Sequence, residues 1–214
     1  MDKDGALRDL KCIKSVFDTL GINFVLAYGT CLGIYRDNDF LPGDDDIDLA
    51  VVDELDLKTR KNIGWKLYDL GFQPQEILFN VFGRMEPAEI GYNGDRKTGI
   101  IVCQRNVKIT IFFFGRKQKC DKHGEEYICI PKLGALTLIA TPTRFYKEFD
   151  FVRFHKDTYF IPKPVEDYLA FSYKDWKDKT ARDHSPTYGE AHPEYLEFMK
   201  NMTKTNEATI ITKR

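Results

Sequence analysis

No apolar run in this 214-residue chain approaches the ~20 residues that a membrane-spanning helix needs. The opening residues, MDKDGALRDLK, are charged and lack the apolar core of a signal peptide. A basic excess is missing too. With 32 Lys and Arg against 33 Asp and Glu, the net charge is −1, which leaves no footprint for general nucleic-acid binding. Cysteine is sparse: five residues, odd in number and irregularly spaced, do not make a disulfide framework. Internal repeats and low-complexity segments are also absent. These absences predict a soluble, cytosolic (cytoplasmic) protein with no membrane span and no nucleic-acid partner. What is present is ordinary for a globular chain, 43% hydrophobic and 30% charged. The length allows one domain, expected over residues 1–202, with 203–214 as a frayed tail.

One stretch organises the rest: FVLAYGTCLGIYRDNDFLPGDDDIDLAVV, from Phe24 to Val52. Phe24 to Tyr28 is an apolar run of the length of one buried strand. Gly29-Thr30 reads as a turn, and Cys31 to Arg36 as the first turns of a short helix. A polar loop through Asn38 and Pro42-Gly43 leads to Asp44, Asp45, Asp46 and Asp48, the last two bordering a second apolar run, Ile47 to Val52. Residues two apart in a strand face the same way, roughly 6.5–7 Å apart at their α-carbons. Asp46 and Asp48 therefore share a face and can converge on one ion. Asp is a poor strand residue, and neighbouring carboxylates repel. A bound Mg²⁺ (or Mn²⁺), which takes carboxylate and phosphate oxygens, removes that conflict. Gly29-Thr30, at a helix N-terminus, offers a phosphate cradle. Asp44 and Asp45 taken alone read as a solvated loop. The joint pattern is equipment for metal-assisted phosphoryl transfer.

YGTCLGIYRDNDFLPGDDDIDLAV resembles the LicD/fukutin branch of the nucleotidyltransferase-fold superfamily, whose members carry a GT-L-L-G-x-x-R segment, a loop and D-D-D-I-D. The resemblance implies an α+β fold, a nucleotidyltransferase-like mixed β-sheet flanked by helices, with a small C-terminal helical extension. It implies a divalent metal, a CDP-linked or other nucleotide donor, and a glycan or sugar acceptor receiving phosphocholine or a polyol phosphate. Residue by residue, Gly29 and Thr30 match the phosphate turn, Arg36 the family arginine, and Asp46 and Asp48 the metal pair. Asp44 and Asp45 match acidic positions of unassigned role and join the catalytic set. Tyr28, Gly29, Thr30 and Thr110 are the expected substrate contacts. A cytosolic chain departs from the membrane-anchored, secretory-pathway members.

The strand Val107 to Phe114, VKITIFFF, holds Thr110 where the family usually has an Asp. Thr cannot ionise in the working pH range. Either another acid substitutes, with Asp44 or Asp45 nearest in sequence, or the activity is weak or lost, or the acceptor arrives already ionised. Transfer of a substituted phosphate leads; nucleotidyl transfer to a small molecule or protein, and nucleotide binding without turnover, stand beside it.

The remaining elements follow from periodicity. Helices are expected over Asp4 to Leu20, ended by Gly21, over Asp56 to Leu70, ended by Gly71, and over Val165 to Tyr173 after Pro164. Strands are expected over Ile77 to Arg84, Gly99 to Gln104 and Tyr127 to Pro131, and as a pair around a His155 to Asp157 turn. Residues 91–97 suit a hairpin or loop, and Lys132 to Ala140 fits helix and strand equally. Cys120, His123 and Cys129, with Cys103, fit no standard zinc template. The IPKPVEDYLAFSYKDW stretch also resembles the later part of the family, and Tyr195 to Met202 is a further helix candidate.

Overall fold

The computed structural model describes residues 1–79, 85–87, 99–114, 118–119, 125–131, 138–180 and 197. Helix α1, Lys3–Leu20, buries Ala6, Leu10, Ile13, Val16 and Phe17 on one stripe. Asp2 caps its start through a side chain that accepts from the Gly5 amide, and Gly21 at φ 66° ends it. Chain order continues with β1 (Val25–Leu26), α2 (Tyr28–Asp37), β2 (Asp46–Val51) and α3 (Leu57–Asp69). Strands β3 (Gln75–Phe79), β4 (Met85–Pro87), β5 (Gly99–Gln104) and β6 (Lys108–Phe113) follow. After them come β7 (Gln118–Lys119), β8 (Glu126–Pro131), β9 (Leu138–Pro142), β10 (Phe149–Phe154), β11 (Asp157–Pro162) and α4 (Val165–Ser172).

Eight strands form one mixed sheet in the order β10-β11-β1-β2-β6-β5-β3-β4, and β7-β8-β9 form a second. The acidic strand β2 sits inside the larger sheet, antiparallel to β1 and parallel to β6. Helices flank a mixed sheet, the α+β class that the sequence predicts. The core gathers α1 (Leu10, Phe17), β2 (Ile47, Leu49), β6 (Ile109, Ile111) and α4 (Tyr168, Leu169).

Two local expectations shift. The first strand is two residues long, because Tyr28 already turns at φ 44° and begins α2. The turn therefore lies at Ala27-Tyr28, and Gly29-Thr30 belong to the first helical turn. A left-handed backbone is uncommon for a bulky residue and costs about 1–3 kcal/mol. The Tyr28 amide is held by donating to the Tyr168 hydroxyl at 2.9 Å, while its ring packs edge-on to Phe112. The segment left open between helix and strand resolves as a strand at its end, β9.

The second motif glycine has a steric reason. A Cβ on Gly33 would lie 2.7 Å from the Asp39 carbonyl oxygen and 2.9 Å from the Leu41 amide nitrogen. The loop leading to the acidic strand folds against α2 at that position, and backbone on both sides leaves nothing to give way. The hairpin at 91–97, Cys120, His123 and the helix candidate at 195–202 lie outside the described residues, apart from the helical backbone at 197, and of Cys129 only the backbone is described. No helix among the described residues is long and apolar enough to cross a membrane.

Candidate active site

Strand β2 alternates as its sequence dictates: Ile47 and Leu49 are buried, while Asp46 and Asp48 on the other face are partly exposed. The carboxylates of Asp44, Asp45 and Asp46 converge, with one oxygen of each within 4.8 Å of the others. Asp48 is not one of this trio, but stands close enough to Asp46 and Asp44 to feel both charges. Burial pushes the Asp48 carboxyl well above the usual carboxylate range; Asp46 and Asp44 add to the rise, and Lys108 opposes it. Burial likewise raises Asp44, to about 6, with Asp46 reinforcing the shift. Asp46 is thus shared between the converging trio and the same-face pair.

The parallel register of β2 and β6 sets Lys108 beside Asp46 and Thr110 beside Asp48. Paired residues share a face, so Lys108, Thr110 and Phe112 line the side that bears the two aspartates. Lys108 Nζ lies 2.6 Å from Asp46 Oδ2. Its charge is held on the ammonium first by the hydrogen bond to Asp46, which raises its pKa. Thr110 is buried. The signal for Lys108 in the sequence is its i, i+2 spacing to Thr110.

Helix α2 meets the cluster at its N-terminal turn. Its N-cap residue, Ala27, offers no capping side chain; the Tyr168 hydroxyl takes the Tyr28 amide, and the Gly29 and Thr30 amides have no acceptor within their own helix. The Thr30 hydroxyl accepts from the Asp48 amide at 2.9 Å, and the Ala27 amide donates to the Asp48 carbonyl at 3.0 Å. Thr30 therefore pins the acidic strand to the helix start. Gly29 lies so close to Asp44 that an added Cβ would stand 2.6 Å from Asp44 Oδ2. Gly29→Ala should leave the fold intact, since Ala favours a helix and only the tip of a side chain is in the way. If the trio takes a divalent ion, displacing Asp44 should weaken Mn²⁺ binding by about tenfold, the scale of a disturbed ligand shell. Calorimetric titration, with thermal unfolding as the control, checks both halves.

Arg36 sits in the last turn of the same helix, about 10 Å along the axis from Gly29-Thr30. Its Nε and Nη2 donate to Asp37 at 3.0 and 2.7 Å, and Nη1 donates to the Trp176 and Asp178 carbonyls at 2.9 and 3.3 Å. Lys179 joins from the same segment, 3.1 Å from Asp37. These bonds make Arg36 a clamp between α2 and residues 176–179, and a contact with donor phosphate would have to break them. Lysine cannot span both partners. Arg36→Lys should lower stability by about 1–3 kcal/mol, the range for hydrogen bonds to charged groups, read from urea unfolding. Unchanged stability with weakened donor affinity would instead return Arg36 to the phosphate role.

Tyr28 is buried, so its ring belongs to the core beside Phe112. Cys103 is buried as well, and burial pushes its thiol up to about 12.

The helix start, the loop folded on Gly33 and the acidic strand lie within residues 21–86, which match the LicD/FKTN/FKRP nucleotidyltransferase domain model. Over these residues, about a third of its length, the chain is similar to the LicD/fukutin family. No curated protein matches the chain. The LicD/fukutin match runs through α2, β2 and α3 and stops before β5 and β6, so Lys108 and Thr110 lie beyond it.

Proposed function

We propose that the chain is a divalent-metal-dependent transferase that moves a substituted phosphate, phosphocholine or a polyol phosphate, from a CDP-linked donor to a hydroxyl of a glycan or sugar. One observation supports this reading: several carboxylates gather at the first turn of α2, where Asp44 lies against Gly29. Alone, such a cluster repels a diphosphate; with a divalent cation it attracts one. The donor set is all oxygen and suits Mg²⁺ or Mn²⁺. Asp46 and Asp48 would hold the ion, with Asp44 and Asp45 within reach of the same place. When bound, the metal neutralises phosphate charge and aligns the groups. The first-turn amides of Gly29 and Thr30 bind donor phosphate oxygens. The acceptor oxygen attacks the phosphorus that bears the alcohol, the bond to the bridging oxygen breaks, and CMP leaves with the electron pair. The hydroxyl proton passes to a carboxylate of the cluster, Asp44 or Asp45, because Thr110 cannot take it.

Product analysis tests this. Incubation with a CDP-alcohol, a sugar acceptor and Mg²⁺ should release CMP. Pyrophosphate released from a nucleoside triphosphate would mark nucleotidyl transfer instead. The register of Thr110 with Asp48 favours one further reading, nucleotide binding without turnover, which stabilisation by nucleotide with neither product would establish. A ligand at 100 times its dissociation constant stabilises by about 2.7 kcal/mol, enough to see in a thermal shift.

Thr110→Asp should restore a third strand carboxylate next to Asp48. Mg²⁺ should bind about tenfold tighter with the added charged oxygen ligand. Without metal, the variant should lose about 2 kcal/mol, as a buried charge beside a like charge requires. Calorimetry and urea unfolding across a Mg²⁺ series would show both effects, and the absence of both would remove Thr110 from the site.

A further inference from the structure

Lys108 is a cation placed where the metal reading needs a cation. It lies in register with Asp46, 2.6 Å from it, and close enough to Asp45 and Asp48 to feel both charges. Its side chain is 45% exposed, so the ammonium can leave Asp46 without crossing the core. The site therefore holds a tethered monovalent counter-ion that any divalent cation must compete with for the Asp46 carboxylate. An ammonium is also a compact point charge with three donors, suited to a phosphate oxygen.

We propose that Lys108 is the internal counter-ion of the acidic cluster: metal binding displaces its ammonium from Asp46, and the freed ammonium then holds the phosphate of the nucleotide donor. One side chain so couples metal binding to donor binding. Without metal, Lys108 stays on Asp46 and the carboxylates repel the donor; with metal, the same side chain becomes a donor contact. The donor half rests on the nucleotide donor proposed above, while the competition rests on the proposed metal site and the Lys108–Asp46 pair.

The test uses the full chain and two substitutions. Lys108→Met keeps length and removes charge; Lys108→Arg keeps charge. Titration calorimetry with Mn²⁺ alone should give about tenfold tighter binding in Lys108→Met, because the competing charge is gone, a factor worth about 1.4 kcal/mol. Lys108→Arg should bind Mn²⁺ as the parent does. Titration with CDP at saturating Mn²⁺ should then show Lys108→Met binding CDP about tenfold more weakly than the parent, the same factor in the opposite direction. Thermal unfolding supplies a readout without nucleotide. The metal-free Met variant should melt lower than the parent, since Asp46 loses its partner, and gain more on Mn²⁺ addition. Should the Met variant fail to fold, Lys108→Gln takes its place. Equal or weaker Mn²⁺ binding in the charge-removed variant, or no Mn²⁺ binding by either protein, overturns the proposal. Tighter Mn²⁺ binding with no CDP binding by the parent would retain the counter-ion and reject the donor half together with the CDP reading.

Discussion

Asp46→Asn and Asp48→Asn should each remove metal-dependent turnover, a loss of at least about a hundredfold if the carboxylates hold the ion as proposed. The two substitutions should differ in metal-free stability. Partial burial and the charges of Asp46 and Asp44 both penalise the ionised Asp48 carboxyl. A neutral amide of the same size ends that repulsion, so Asp48→Asn should be more stable than the parent. Asp46 is paired with Lys108, and Asp46→Asn trades relief within the cluster against loss of the ion pair. Its stability should stay close to the parent's, within about 1 kcal/mol for a partly exposed pair. Urea unfolding in chelator and turnover across a Mg²⁺ series give the two measurements. Full activity in both variants would move the metal site elsewhere.

Asp9→Ala should lose about 3–5 kcal/mol, the usual result of removing one partner from a buried charged pair. Asp9 is fully buried in α1. Its carboxylate accepts from Arg105 Nε at 2.7 Å, from the Asn106 amide and side-chain nitrogens at 2.8 and 2.6 Å, and from the Val107 amide at 3.2 Å. Truncation would strand those donors and the Arg105 charge, although Arg105 keeps its stack on Phe72, 4.6 Å to the ring centroid. Because residues 105–107 lead into β6, Asp9 also sets where Lys108 and Thr110 enter the site. The melting temperature should fall by roughly 10 °C, at 2–4 °C per kcal/mol for a chain of this size. A stability loss within 1 kcal/mol would show that water replaces the carboxylate at little cost.

Much of the architecture was legible along the chain because it is written in local period. The apolar stripe Leu10, Ile13, Phe17 requires α1, and Gly21 ends it at positive φ. The alternation of Asp46-Ile47-Asp48-Leu49 makes an acidic face on a buried strand. Alternation also paired the β10 and β11 segments around His155, which takes φ 51° in the turn. Where period ran out, reading failed: the start of α2 moved from Cys31 to Tyr28, because the amide of Tyr28 is held by a hydroxyl 140 residues away.

From sequence alone came the motif and the same-face relation of Asp46 and Asp48, both properties of neighbours in the chain; the α+β class with its mixed sheet came from the resemblance that the motif carries. Tertiary structure alone decided which distant groups meet them. Lys108 reaches Asp46 only through the parallel pairing of β2 with β6. Arg36 is drawn to the Trp176 and Asp178 carbonyls because the segment after α4 closes over the end of α2. Asp9 binds a turn 96–98 residues further on. Charge and hydrogen-bond energies depend on distance and burial, and for residues so far apart in the chain both are set by packing.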